Sequence, residues 1–328
     1  MTTLNIILTK FEQDSSHLSD SLITTFKQLC NLSSEIPHPA SGQTYERWKV
    51  LAKVAATNLN LVKWFESHLD ALSILHELGY SKVPAGVYAV WAAEGGIQPL
   101  YYQNGQCSGN KYWCSGAGLV DYGLMTYRDT QNNSQLLIVD MHQPDICIDH
   151  SGWNAIGMAY TQTAKISFNK VVAQTVGQPG QYLDRSGFWH GAAGVAACWY
   201  GAATRLAHTL QQACQEKPNT FRLMYLGEVN SALATTREYF KYVAAQIDQH
   251  PTQSHELIIR MLRIQTEQTA QKVLDLVGKA LGARPFCENT MFAQMAADLP
   301  VFLRQSHAAF DLEQIGERSV MEDTAWML

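Results

Sequence analysis

The chain is 328 residues long, with 46% hydrophobic residues, 16% charged residues and a formal net charge of -5. That length exceeds the ~250–300 residues at which single cores stop growing, so two or three structural regions are expected. The acidic balance and the lack of any Lys/Arg cluster exclude a nucleic-acid footprint. No apolar run reaches the ~18–20 residues of a membrane span, and the N-terminus lacks the pattern of a secretory signal. The low charged fraction points to surface hidden inside the fold or between subunits. The scattered cysteines, without a C-x-x-C pair, read as free thiols in a reducing cytoplasm.

Residues 1–85 read as helical. The clearest helix is predicted from Tyr45 to about Leu78, where Trp48, Leu51, Val54, Leu59, Val62, Phe65, Leu69, Leu72 and Leu75 recur at three- and four-residue steps. Gly79 is placed to end it. Residues 86–180 carry shorter patterns, with strands expected at Tyr88–Trp91, Lys111–Ser115, Tyr122–Thr126, Leu136–Asp140 and Lys165–Phe168. Asn104-Gly105 and Gly109-Asn110 are turn signals between two of them. Such short strands suggest a compact antiparallel sheet or barrel. Residues 181–328 return to helix. Gly187–Cys214 is rich in small residues that let backbones approach, Phe221–Asp248 and Glu256–Leu281 follow, and Met291–Gly316 supplies another.

Three segments in order carry a resemblance: G-N-K-Y-W-C-S-G-A (Gly109–Ala117), L-L-I-V-D-M (Leu136–Met141) and W-N-A-I-G-M-A-Y-T-Q-T-A-K-I-S-F-N-K-V (Trp153–Val171). In order and spacing they resemble the middle domain of the acyl-CoA dehydrogenase family, and the likeness continues through Ala244–Asp248 and Leu281–Phe286. The resemblance implies a mainly α fold with a central β domain: N-terminal helices, a middle β barrel or sandwich and a C-terminal four-helix bundle. It implies FAD, with the flavin ring between the β domain and the bundle. Trp113 would lie against the ring as one aromatic surface on another. Ser115 would offer a hydroxyl toward flavin N5, where hydride arrives. Trp91 would join the ring site. Without their neighbours, Trp113 and Ser115 would read as an ordinary strand tryptophan and a turn serine. Gly157-Met158 marks close packing rather than chemistry. Gly282 keeps part of the family's glycine turn near the pyrophosphate, and Arg284 adds a guanidinium that can pair with phosphate.

Other family elements are missing. The family's catalytic glutamate falls at or beside Ser306-His307 here, or near Gly191 beside His190 at its second known position, and neither place has an acid. The usual R-x-x-F-G reads P-N-T-F-R-L (Pro218–Leu223), and the first flavin segment reads A-A-E-G-G-I-Q-P (Ala92–Pro99). His307 is the first candidate for a catalytic base, since histidine titrates near neutral pH; a lone helical histidine is otherwise a packed or surface residue. His190 is second. Glu66, His68 and Asp70 alternate on the N-terminal helix beside the family's substrate cavity, two of them expected to face solvent.

Three activities follow. The first is an FAD-dependent oxidoreductase taking hydride from the CH-CH group of a small acyl-type substrate, with a base other than glutamate and an electron acceptor or reductase as partner. The second is a flavin monooxygenase of the same fold, and the third a flavin-binding or scaffold relic. The shared FAD sites of the family imply a homodimer or homotetramer.

Overall fold

The computed structural model describes residues 2–14 and 17–321. Helices α1 (Thr2–Gln13), α2 (Leu18–Cys30), α3 (Thr44–Thr57) and α4 (Leu59–Glu77) come first. The β region runs β1 (Tyr88–Trp91), β2 (Tyr101–Gln103), β3 (Gln106–Cys114), β4 (Tyr122–Arg128), β5 (Ser134–Asp140), β6 (Ile146–Asp149), β7 (Ala164–Val172) and β8 (Gln174–Val176). A single turn, α5 (Gln181–Asp184), leads into the long helices α6 (Gly187–Glu216), α7 (Thr220–Gln249) and α8 (Glu256–Leu281). The short α9 (Arg284–Glu288), α10 (Thr290–Leu303) and α11 (Ala308–Ser319) close the described chain. Helices, strands and helices thus follow in the order the pattern predicts. By compactness there are two units rather than three: Met1–Ile36 with Asn60–Phe188, and Pro37–Leu59 with Trp189–Leu328.

In the first unit, two four-stranded sheets form, ordered β1-β4-β5-β8 and β2-β3-β7-β6. All pairings are antiparallel except β1 with β4. The alternation of strand side chains builds two cores from one sheet. Met125, Leu137 and Val139 join Trp91, Cys107, Ile166 and Phe168 in one core. Their neighbours Leu124, Leu136 and Ile138 point the other way and pack with Ala71, Ile74 and Leu75 of α4. Between Leu59 and Leu69, α4 is buried all round except at Lys63, and its buried face includes the polar Asn60, Glu66, Ser67 and His68.

Two turn signals diverge. Asn104 and Gly105, at φ 53° and 80°, close the β2–β3 hairpin as expected. Gly109-Asn110 is not a turn but lies inside β3, where the register against β7 shifts between Cys107 and Gly109. Gly109 sits at φ 105°, and a Cβ there would stand 2.5 Å from the Pro99 carbonyl oxygen. A bulge and a close backbone approach explain the glycine.

The helix predicted from Tyr45 to Leu78 is two helices. Asn58 breaks it in extended conformation (φ -161°, ψ 131°), because Thr57 and Asn58 compete with helical backbone bonding, and the chain passes there from one compact unit to the other.

In the second unit, the small-residue stretch of α6 does allow close approach: a Cβ on Gly201 would lie 2.1 Å from the Ala52 carbonyl oxygen of α3. Asp248, near the end of α7, caps α3 by accepting from the Thr44 N–H at 3.0 Å and the Thr44 hydroxyl at 2.6 Å. The helix predicted over Met291–Gly316 is also two. After Leu303 the backbone tightens, with Ser306 N–H donating to the Leu303 carbonyl at 2.9 Å, and His307 becomes the N-cap residue of α11.

Candidate functional site

The end of β3 departs from strand geometry. Lys111 points inward, buried, and its ammonium donates to the Thr126 carbonyl and hydroxyl at 2.5 and 3.0 Å; burial pushes its pKa down to about 8. Two residues on, a regular strand would turn Trp113 inward too. Instead Trp113 adopts φ 63°, and the register against β7 shifts between Lys111 and Cys114. The indole is left 66% exposed. A left-handed conformation is a true outlier for a bulky residue and costs ~1–2 kcal/mol. Residues held in such sparsely populated conformations cluster at active sites and ligand clamps. The ring of Trp153 meets it edge-on at 6.0 Å and 88°.

Beside the tryptophan lies a chain of hydroxyls. Ser115 Oγ is 2.9 Å from Thr163 Oγ1, which is 2.8 Å from Thr161 Oγ1, which donates to the Met158 carbonyl at 2.8 Å. Both threonines are buried and Ser115 is half-buried. Met158 and Gln162 flank this segment in left-handed conformations, at φ 59° and 49°. Gly157-Met158 therefore marks a tight turn with Met158 buried, in keeping with its reading as close packing rather than chemistry. The Thr161 carbonyl accepts from both Gly116 N–H (2.8 Å) and the Trp64 indole N–H (2.7 Å).

Trp91 is not part of the exposed surface, contrary to its expected place in the ring site. It is 3% exposed inside the sheet core, and its indole donates to the Ser115 carbonyl at 3.0 Å. Trp91 pairs with Met125 of β4, and its ring lies over Gly123, where an added Cβ would stand 2.5 Å from it, so the missing side chain leaves room for the buried indole. Trp91 positions Ser115 rather than covering a ligand.

The α4 trio also differs from expectation, since two of the three are buried instead of facing solvent. Glu66 pairs with Lys63 at 3.3 Å and is 8% exposed. His68 is 2% exposed; its Nδ1 accepts from the Tyr88 N–H at 3.0 Å and its Nε2 donates to Ser33 Oγ at 3.0 Å. Those partners fix the neutral tautomer, and burial pushes its pKa down to about 4 against the pull of Asp121. His68 joins the N-terminal helices to β1. Asp70 is partly buried.

In the second unit, His190 is buried near the start of α6, with Nε2 hydrogen-bonded to the Gln253 carbonyl at 2.9 Å and the His255 ring 5.9 Å away. His307 is exposed, its carbonyl accepting from Phe310 N–H and Asp311 N–H and its side chain making no cap bond. Arg263 bridges the neighbourhoods of both: its guanidinium donates to the Ala192 carbonyl at 2.6 Å and the Gln305 carbonyl at 3.1 Å, and packs 4.9 Å over the Trp199 ring. Gly282 ends α8 at φ 69°. Arg284 opens α9, is well exposed and pairs with Glu288 at 2.7 Å.

No family model and no curated protein matches the chain. Solved structures do. Dibenzothiophene monooxygenase TdsC from Paenibacillus sp. A11-2, solved with FMN and indole, is similar at TM-score 0.73 and 15% identity over 96% of this chain and 93% of that one. Nitrososynthase from Micromonospora carbonacea var. africana gives 0.76 and 13%, over 97% and 96%. Butyryl-CoA dehydrogenase from Megasphaera elsdenii gives 0.75 and 12%, over 85% and 83%. The fold is that of the acyl-CoA dehydrogenases.

Within the acyl-CoA dehydrogenase fold, the sequence pointed to Trp113 and Ser115 but not to the residues that surround them. Thr161 and Thr163 lie inside Trp153–Val171, where two threonines at alternate positions beside a strand were the available signal. Trp64 and Arg263 gave no signal, because an apolar face and a helical arginine are common.

Proposed function

We propose that the chain is a flavin-dependent oxidoreductase acting on a small molecule, and that it works as a monooxygenase. The observation that carries the flavin assignment is the exposed, left-handed Trp113 beside the Ser115 hydroxyl. The donor set fits a flat ring: an indole face for its surface, a hydroxyl for its polar edge, and two buried threonines that fix that hydroxyl. Trp113 and Ser115 would hold the ring; Gly282 and Arg284, which the sequence resemblance links to a phosphate, belong to the other compact unit. Bound there, a flavin supplies two-electron chemistry, accepting hydride when oxidised and giving electrons to oxygen when reduced. FAD is the cofactor the sequence resemblance implies; Arg284 already shares its charge with Glu288, so a flavin held chiefly through its ring suits this chain, FMN included.

Oxygen chemistry is favoured over CH-CH oxidation by what stands at the two base positions. Removing an α-proton calls for a carboxylate or another well-placed base. The start of α6 offers His190 and Gly191, and the turn before α11 offers Ser306 and His307. His190 is buried and engaged with a backbone carbonyl. TdsC, of the same fold, is a monooxygenase solved with FMN. A reductase delivering reduced flavin would be the partner. The second reading is dehydrogenation of an acyl-type substrate, favoured by the exposure of His307. Assembly of copies of the chain is supported by the exposed Phe221, Met224 and Tyr242 of α7, with light scattering as its test.

The test of function is titration of the purified protein with FMN and with FAD, followed by flavin absorbance. Saturable binding that weakens in Trp113→Ala is expected, followed by oxygen consumption when the flavin is reduced. Absence of binding would remove the proposal.

A further inference from the structure

The hydroxyl chain behind Ser115 has a direction. The Met158 carbonyl can only accept, and Thr161 carries one hydroxyl proton. At 2.8 Å the two oxygens need that proton between them, so the Thr161 proton is committed to Met158. The 2.8 Å contact between Thr161 and Thr163 must then be filled by the proton of Thr163. The 2.9 Å contact between Thr163 and Ser115 must in turn be filled by the proton of Ser115. Thr161 and Thr163 are buried, so bulk water does not compete along the chain. Reversing it would leave two buried oxygens in contact without a proton, at a cost comparable to an unmade buried hydrogen bond.

We propose that this order of protons makes Ser115 Oγ an obligate acceptor, so that the Trp113 surface selects a ligand edge bearing N–H or O–H and, for a flavin, the reduced ring over the oxidised one. The flavin part rests on the reading given under Proposed function, in which Ser115 meets the N5 edge. N5 of an oxidised isoalloxazine has a lone pair and no hydrogen, so it would face the lone pairs of Ser115. N5 of the reduced ring carries a hydrogen and would donate to them. The backbone around Ser115 holds this polarity in place. Its carbonyl is taken by the Trp91 indole, and the following Gly116 N–H is taken by the Thr161 carbonyl. A protein that receives flavin already reduced, from a separate reductase, gains from such a preference, because the spent oxidised ring is then released.

The experiment is an anaerobic titration of the full-length protein with oxidised FMN and with dithionite-reduced FMN, followed by quenching of tryptophan fluorescence. The midpoint potential of bound FMN is measured as an independent readout. Wild type is expected to bind the reduced form about tenfold tighter, the size of one hydrogen bond gained against one lone-pair clash. That ratio raises the two-electron potential of bound FMN above free FMN by about 30 mV. Thr161→Val removes the anchor on the Met158 carbonyl, frees the proton of Thr163 to point at Ser115, and should collapse or invert the ratio. Thr161→Ser keeps the hydroxyl and should restore it. If Thr161→Val does not fold, Thr163→Val gives the same expectation, since Ser115 then recovers its proton. Equal affinity for the two states in wild type, or an unchanged ratio in both valine variants, overturns the inference while leaving the flavin reading intact. No saturable binding of either state by wild type defeats the flavin reading, and the inference with it.

Discussion

The indole N–H of Trp64 donates to the Thr161 carbonyl at 2.7 Å, the same oxygen that accepts Gly116 N–H. One helix residue thereby fixes the turn after β3 and the segment before β7, the two pieces that carry Ser115, Thr161 and Thr163. A Cβ on Gly116 would stand 3.1 Å from the Trp64 ring, so little slack remains. Trp64→Phe should lower stability by about 1 kcal/mol, the net worth of one hydrogen bond, because the Thr161 carbonyl keeps its second donor. Denaturant melts of both proteins measure it. A variant as stable as wild type would mean that the bond carries no weight in holding these segments.

Trp113 makes the opposite case. Its left-handed backbone is a cost, and its exposed ring gains little from the fold. Trp113→Gly should therefore leave stability unchanged or raise it by up to about 1 kcal/mol, as glycine accepts that conformation freely. The same substitution should loosen flavin by at least the ~0.5–1.5 kcal/mol of an aromatic contact. Thermal melting and flavin titration are read together. Loss of stability with flavin affinity retained would show that the ring serves the fold.

Trp113 and Ser115 were legible because the family-like spacing of three segments singles them out from ordinary strand residues. The strands at Tyr122–Thr126 and Leu136–Asp140 were legible as short apolar runs, but the unbroken Leu136-Leu137-Ile138-Val139 gave no sign of which side chain enters which core. What escaped is short or dual in character. Strands β2, β6 and β8 have three or four residues each, too few for a period to declare itself, and they form because neighbouring strands supply partners. Asn58 interrupts an apolar stripe that is continuous in sequence, since both α3 and α4 bury a face. Trp91 and Trp113 look alike as strand tryptophans, and only register and a left-handed residue separate the buried one from the exposed one. His68 read as a site candidate because a buried neutral histidine and a catalytic one share a residue type, and the Tyr88 and Ser33 partners that distinguish them lie far away in sequence.

His68 gives the fold a pH dependence. Its pKa falls from 6.5 to about 4 on folding, chiefly through burial. The unfolded chain thus takes a proton that the folded protein refuses. The stability tied to His68 is whole above pH 6.5, declines as pH falls below it, and is gone below about 4. At ~1.36 kcal/mol per pKa unit the loss totals about 3 kcal/mol. His68→Gln should flatten the stability profile between pH 6.5 and 4, as read by urea melts across that range. Parallel slopes in the two proteins would refute the assignment.

Two helix glycines should respond in opposite directions. Gly201→Ala places a Cβ 2.1 Å from the Ala52 carbonyl oxygen, so α3 and α6 must separate, at an expected cost of ~1–3 kcal/mol. Gly227, inside α7, has nothing within 4 Å of a Cβ, and Gly227→Ala should stabilise by ~0.5–1 kcal/mol through helix propensity alone. Paired melting curves decide it. Equal effects of one sign would mean that the stretch of α6 is loosely packed.

His307 separates the two readings of the chemistry. It caps α11 through its backbone only, its side chain is exposed, and no cap bond is lost on substitution. His307→Ala should therefore change stability by no more than ~0.5 kcal/mol, typical of a surface position, and should leave flavin affinity unaltered. If the chain desaturates an acyl-type substrate, the variant should lose most substrate-driven flavin reduction, because the α-proton must leave to a base. A monooxygenase has no such step, so substrate alone should reduce no flavin in wild type, and reduced flavin should consume oxygen in both proteins. Anaerobic single-turnover absorbance, with and without substrate, reads the first, and an oxygen electrode the second. Substrate-driven reduction in wild type that survives His307→Ala would exclude His307 as the base.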